Sequence, residues 1–366
     1  MRVTFLLPCD NLSGGCRVVA IYAQQLQARG HQVLVVTCAP ERLSPREMVR
    51  AVRAGDWQRL RQHLTPQPGH IALSGVPHKT LSHAGAIKPT DVPQADVVIA
   101  TWWETALWMH DMPQSKGRKV HLIQGYEIWL DPDSREQVHA ALRLPNQKIA
   151  ISSDLKQTIE GALGPLDIEL VPNAVDLQQF TAPLRGKQAT PTVGFVYARA
   201  AIKGADIYTR ACELARQQLP NLKVVAFGAD QPTPELPLPS QTDYFYRPSQ
   251  AQLKDIYSRC DVWLFGSRLD SFGLPILEAM ACRTPVIAVP VGAAQELLDD
   301  GTGVLVARES APDMAGAIVA ICQQGDEAWR ALSQRAHHKA HGYSWNDATE
   351  RLLGCLQQGS LCTAAA

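Results

Sequence analysis

The chain has no apolar run of membrane-spanning length, so no membrane-crossing helix is expected. It has no C-x-x-C pair, and its nine cysteines are scattered and odd in number, which argues against a disulfide framework and for reduced thiols in a cytoplasmic setting. It has no net charge, with 35 basic residues against 35 acidic ones, so no global field draws it to nucleic acid. The G-x-G-x-x-G dinucleotide fingerprint and any convincing internal repeat are also missing. At the amino terminus Met1–Pro8 carries only a short apolar stretch, which suits a first buried strand better than a secretion signal.

What is there describes a folded enzyme-sized chain. With 366 residues, 46% hydrophobic and 19% charged, it is too apolar for disorder and long enough for two lobes, each with its own core. Strand and helix patterns alternate throughout. Strands are expected at Val3–Leu7, Val33–Thr37, Val97–Ala100, Val120–Ile123, Lys148–Ile151 and Glu169–Val171, and helices at Cys16–Arg29, Pro45–Ala54, Thr105–His110, Ser134–Leu142 and Asp154–Leu163. The alternation repeats from Thr192 to Val306, which predicts parallel sheets covered on both faces.

The most informative stretch is Asp270-Ser-Phe-Gly-Leu-Pro-Ile-Leu-Glu278, two carboxylates with seven residues between them. Asp261–Phe265 reads as a buried strand, Gly266–Gly273 as a turn, and Pro275 as the first position of a helix running to about Arg283. Such a helix start presents unpaired N–H groups and a positive dipole end, which suits a phosphate. Glu278, expected in the first turn, could accept two ribose hydroxyls. The plainer account is a carboxylate complementing the dipole and an Asp making an ordinary turn, and the two are evenly balanced on these residues alone. Upstream, Pro191–Tyr197 reads as a strand and Ala198–Gly204 as its loop, where Arg199 offers a planar fork and Lys203 a point charge for a diphosphate; a solvated basic loop is the bland alternative.

Asp270 to Glu278 resembles the acid-x7-acid signature of retaining GT-B glycosyltransferases of the family 4 type (glycosyl transferases group 1). The resemblance continues through Ala279–Ile287, Val291–Glu296, Asp300–Val304, Val171–Asp176, Lys203-Gly204, Ser13-Gly14-Gly15 and Tyr343-Ser-Trp345, in the family's order over nearly the whole chain. It implies an α/β fold of two Rossmann-like, doubly wound parallel-sheet domains facing an interdomain cleft. Residues 1–177 would form the acceptor-side domain, 178–190 the linker, 191–342 the nucleotide-sugar domain, and 343–366 a helix returning to the first domain.

The implied reaction moves a hexosyl or deoxyhexosyl group from a nucleotide diphosphate sugar to a hydroxyl of a carbohydrate, lipid-linked or small-molecule acceptor with retained configuration, without metal or further cofactor and without nucleic acid. Arg199 and Lys203 would hold the leaving diphosphate, Glu278 the ribose, and Asp270 with the Phe272-Gly273-Leu274 backbone the sugar hydroxyls. The first-lobe loop with Gly14 and Gly15 would lie beside the donor, as would Gln124, and the Tyr244–Pro248 loop with Arg247 near the base. Asp270 stands where many members have Glu, shortening the reach by roughly 1.5 Å. Gln124 stands where a His is frequent, and it cannot shuttle a proton. A nucleotide-sugar epimerase and a catalytically silent sugar-nucleotide-binding protein are the rival readings.

Further features stay open. Arg42, Arg46, Arg50 and Arg53 would form one basic stripe, with Trp57, Arg59 and Arg61 beyond, either a solvated face or a contact for anionic lipid or an acceptor diphosphate at the inner face of a membrane. Trp102, Trp103 and Trp108 could stack on an acceptor sugar, with Glu104 near it, although packing on the sheet is the simpler use. Asp131 and Asp133 form a D-x-D string that helix capping explains, and His337, His338 and His341 fit a solvated helix face, so no metal site is assigned.

Overall fold

A computed structural model describes residues 1–39, 43–53, 60, 68–83, 85–128 and 134–361. The chain divides into two compact units, one of Met1–Ala150, Ile159–Val171 and Thr349–Ala366, the other of Ile151–Thr158 and Pro172–Ala348.

The first unit is built on a seven-stranded parallel sheet of β1 (Arg2–Leu7), β2 (Gln32–Thr37), β3 (His78–Thr80), β4 (Val97–Ala100), β5 (Arg118–Ile123), β6 (Gln147–Ala150) and β7 (Ile168–Leu170), in the order β3-β2-β1-β4-β5-β6-β7. β4 is buried along its whole length, as a parallel strand covered on both faces must be. Helix Gly14–Ala28 turns Val18, Val19, Tyr22, Ala23 and Leu26 inward at helical spacing. On the other side Leu6, Val36, Val98, Ala100, Ala106 and Met109 form a core against which Trp103 and Trp108 pack, so those two indoles serve the sheet. Helix Trp345–Leu361 contributes its residues from Thr349 onward to this unit. Glu350 pairs with Arg29 at 2.9 Å, Gln147 donates to the Cys355 carbonyl at 2.8 Å, and Arg118 donates to that of Leu356.

The second unit repeats the design with β8 (Thr192–Val196), β9 (Lys223–Gly228), β10 (Thr242–Tyr246), β11 (Val262–Phe265), β12 (Val286–Ala288) and β13 (Val304–Leu305), all parallel, in the order β10-β9-β8-β11-β12-β13. In each sheet the chain moves outward from a central strand, then returns to that strand's other side. The loops leaving β1 and β4, and those leaving β8 and β11, therefore part company at a switch point, where ligands of such sheets bind.

The expected strands are present within a residue or two, Tyr244–Tyr246, expected in a loop, are the end of β10, and β3 was not anticipated. Its three residues are all exposed and carry no apolar pattern, and only backbone pairing with β2 makes them a strand. The stretch 178–190 has no helix or strand, as composition suggests, yet it lies inside the second unit. Arg185 fastens it, its guanidinium donating to the carbonyl of Cys260 and the hydroxyl of Thr284 and lying 4.6 Å over the Trp329 ring. Arg42, Trp57, Arg59, Arg61, Asp131 and Asp133 lie outside the described residues.

Candidate active site

The switch point of the second unit gathers Arg199, Lys203, Asp270, Phe272 and Gly273 on two loops. After β8 the chain makes a tight 3-10 turn, Ala201–Lys203, and enters helix Ala205–Arg216 through Gly204 at φ 71°. A side chain at Gly204 would start 2.3 Å from the Gly266 carbonyl oxygen, so glycine lets the two loops touch. Lys203 Nζ then lies 2.7 Å from Asp270 Oδ2, the lysine side chain 41% exposed and the aspartate 18%. Asp270 Oδ1 accepts the backbone N–H groups of Phe272 at 3.2 Å and Gly273 at 2.9 Å. That turn delivers the chain to helix Leu274–Ala281, capped by Gly273 at φ 88°.

Two sequence expectations need correction here. The helix starts at Leu274, with Pro275 second, and ends at Ala281 rather than Arg283. Glu278 is therefore in its second turn, and it is buried, at 4% exposure, rather than poised at the helix mouth. Its Oε2 accepts the Tyr257 hydroxyl at 2.7 Å. Tyr257 is itself buried, its ring centroid 4.4 Å from Trp263, 5.7 Å from Phe227 and 6.0 Å from Phe180, so its hydroxyl has a fixed direction.

Arg199 is brought to the same strand end but is paired with Asp230, its backbone N–H donating at 3.0 Å and its Nε standing 3.7 Å from the carboxylate. Arg247 follows β10 in a left-handed backbone conformation, φ 49°, with its guanidinium 5.2 Å over Tyr246 and its Nε donating to the Ala229 carbonyl at 3.1 Å. Arg268 was not foreseen. Its backbone N–H and Nη1 bond the carbonyls of Ile202 and Ala201, and its guanidinium grips Asp206 at 2.9 and 2.7 Å and Glu309 at 2.8 Å. Arg268 thereby pins the turn that carries Lys203, and it holds the Asp206 carboxyl below the usual carboxylate range. No sequence motif marks Tyr257, Asp230 or Arg268, since each acts through a partner distant along the chain.

In the first unit the loop after β1 is self-capped. Asn11 accepts from Ser13 N–H at 2.8 Å, Ser13 accepts from Cys16 N–H at 3.4 Å, and Asp10 receives the N–H groups of Ile71 and Ala72 at 3.0 Å each. Gly14 and Gly15 open helix Gly14–Ala28, and a methyl at Gly15 would sit 3.6 Å from the Gln124 amide, so the loops after β1 and β5 meet. Three residues beyond Gln124, Glu127 is buried at 5% exposure, and burial pushes its carboxyl up to about 7. Glu104 is the second residue of helix Trp103–His110, at the β1/β4 switch point, while Arg46 and Arg50 lie exposed on helix Pro45–Arg53.

Two sequence profiles match successive parts of this chain, "Glycosyltransferase Family 4" over residues 12–179 and "Glycosyl transferases group 1" over residues 190–324. The chain belongs to the group 1, family 4 glycosyltransferases. Among relatives of this family, a D-inositol 3-phosphate glycosyltransferase of Actinosynnema mirum is 31% identical over 54% of this chain and 53% of its own length. The enzyme of the same name from Kineococcus radiotolerans is 29% identical over 93% of this chain and 89% of its own. The chain thus matches about half the length of the first of these relatives and most of the second. In structure it is similar to sucrose-phosphate synthase of Thermosynechococcus elongatus, with a TM-score of 0.72 at 18% identity, and to HepE of Anabaena in complex with UDP and glucose, 0.67 at 16%, each covering the whole of both chains. Those likenesses establish the GT-B fold. Among the described residues no helix is long and apolar enough to cross a membrane.

Proposed function

We propose that the chain transfers a glycosyl group from a nucleotide diphosphate sugar to an acceptor hydroxyl, with retained anomeric configuration. The observation that carries this reading is the junction of Lys203 and Asp270 at the switch point of the second sheet, at 2.7 Å, with the mouth of helix Leu274–Ala281 on the same loop. A cation, a fixed helix dipole and a buried carboxylate on one helix suit a nucleoside diphosphate. HepE, a protein of the same fold, was crystallised with UDP and glucose, which supports this class of donor.

In this reading Lys203, aided by Arg199, stabilises the negative charge that grows on the departing diphosphate. Glu278 takes the ribose hydroxyls, and the leaving phosphate receives the acceptor proton. Within the first unit, Gly14, Gly15 and the neighbouring Gln124 are the candidate donor contacts and Glu104 the candidate acceptor contact. No metal is required. Exposed Arg46 and Arg50 support a peripheral contact with anionic lipid.

The test is incubation of the full chain with UDP-, GDP-, dTDP- and ADP-sugars and a mixed panel of sugar and lipid acceptors, followed by mass spectrometry and proton NMR of the product anomer. A glycoside of unchanged configuration is expected, abolished in Lys203→Ala and Glu278→Ala with the fold intact. Conversion of the free nucleotide sugar without acceptor would instead mark an epimerase, and binding without turnover a silent binder.

A further inference from the structure

We infer that Asp270 is a positioning residue, acting through Lys203 and the Phe272-Gly273 backbone, and that it does not itself hold the transferred sugar. This rests on the donor reading above and assigns one of its residues a different task.

A carboxylate offers about four lone-pair sites, two on each oxygen. In Asp270 three are committed. Oδ1 takes the N–H groups of Phe272 at 3.2 Å and Gly273 at 2.9 Å, and Oδ2 takes Lys203 at 2.7 Å. Gripping a sugar by paired hydroxyls needs more capacity than one remaining site. The turn is closed further along as well, because the Phe272 carbonyl accepts the Ala293 N–H at 2.9 Å.

Exposure points the same way. Of the pair, lysine is the open member and aspartate the covered one, 41% against 18%, so the charge presented outward is the ammonium. An unanchored lysine loses about 2 kcal/mol of rotamer freedom on being fixed. Asp270 fixes it in advance with one of its three N–H groups and leaves two for phosphate oxygens. Arg268 fixes the backbone turn beneath it. The shorter Asp at this position suits that task, since both contacts of Oδ1 are within three residues of its own backbone.

The experiment compares a nucleoside diphosphate with its sugar conjugate by calorimetry on the full chain, using UDP with UDP-glucose, GDP with GDP-mannose, and dTDP with dTDP-glucose. For whichever pair binds the unmodified protein, Asp270→Asn is expected to weaken the bare diphosphate and the conjugate by the same factor, about ten-fold for loss of one charge-assisted anchor. Lys203→Met should weaken both likewise, and the double variant should bind within about two-fold of Lys203→Met alone, because one effect passes through the other. An Asp270→Asn protein that binds the bare diphosphate normally and only the conjugate poorly overturns the inference, as does a double variant in which the two losses multiply. Asp270→Ser, whose hydroxyl still accepts a backbone N–H, replaces the amide variant should circular dichroism show that one unfolded. If the unmodified chain binds no pair at all, the donor reading fails first and takes this inference with it.

Discussion

Tyr257 and Glu278 form a buried pair, the phenol donating to the carboxylate at 2.7 Å from within a ring of Trp263, Phe227 and Phe180. Tyr257→Phe keeps the ring and its packing but removes the hydrogen bond to Glu278 Oε2. Loss of a bond to a charged group costs about 1.5–3 kcal/mol. Nucleotide affinity should therefore fall by about ten-fold or more while the circular dichroism spectrum is unchanged. Calorimetry showing undiminished affinity would separate Glu278 from nucleoside binding.

Arg268 predicts an effect at a distance. Its guanidinium ties Asp206, Glu309 and the Ala201 carbonyl together beneath Lys203. Arg268→Ala should raise the KM for the sugar donor by roughly ten-fold, with a stability loss of only about 1 kcal/mol, since a bidentate network at partial exposure is worth little more. Unaltered donor kinetics would mean that the turn holds its shape without the clamp.

The pH dependence of stability should show the mark of Glu127. Burial lifts its folded pKa from the ordinary 4.5 to about 7. The protonated form is therefore favoured in the fold. Its contribution is complete below about pH 4.5 and is lost as pH rises toward 7, by on the order of 3 kcal/mol at most. Glu127→Gln should accordingly raise the melting temperature at pH 8 and leave it nearly unchanged at pH 4.5; equal shifts at both would refute the assignment.

Helix Pro45–Arg53 buries Ala51 alone and leaves Val49 and Val52 half exposed among Arg46, Arg50 and Arg53. If this face meets anionic lipid, Arg46→Glu with Arg50→Glu should reduce sedimentation with phosphatidylglycerol vesicles at least ten-fold, given about 1 kcal/mol for each basic residue at such a surface. Binding that survives the double reversal assigns the stripe to solvent.

Sequence disclosed whatever was local. The strands Val97–Ala100 and Val262–Phe265 announce themselves as unbroken apolar runs, because a parallel strand between two helical layers has no polar side. Spacing singled out Asp270, Glu278 and Lys203, but left a ligand site evenly balanced against an ordinary turn until the resemblance was added. Glu278's depth was not legible, because it depends on Tyr257 arriving from helix Gln250–Ser258. Nor was β3, whose His78–Thr80 pattern says nothing until Thr37 and its neighbours offer an edge. Arg185 lies in the supposed linker, where nothing in the sequence singles it out, and only the fold reveals Trp329 beneath it.

Helix Trp345–Leu361 is bonded to the unit with which the chain begins, through Glu350, Cys355 and Leu356. A ribosome must therefore finish all six strands of the second sheet before the first unit receives its final piece. The bonds of Arg29 to Glu350, of Arg118 to the Leu356 carbonyl and of Gln147 to the Cys355 carbonyl form only once that helix has been made. Contacts within the earlier half of the protein are thus closed by residues made after the later half.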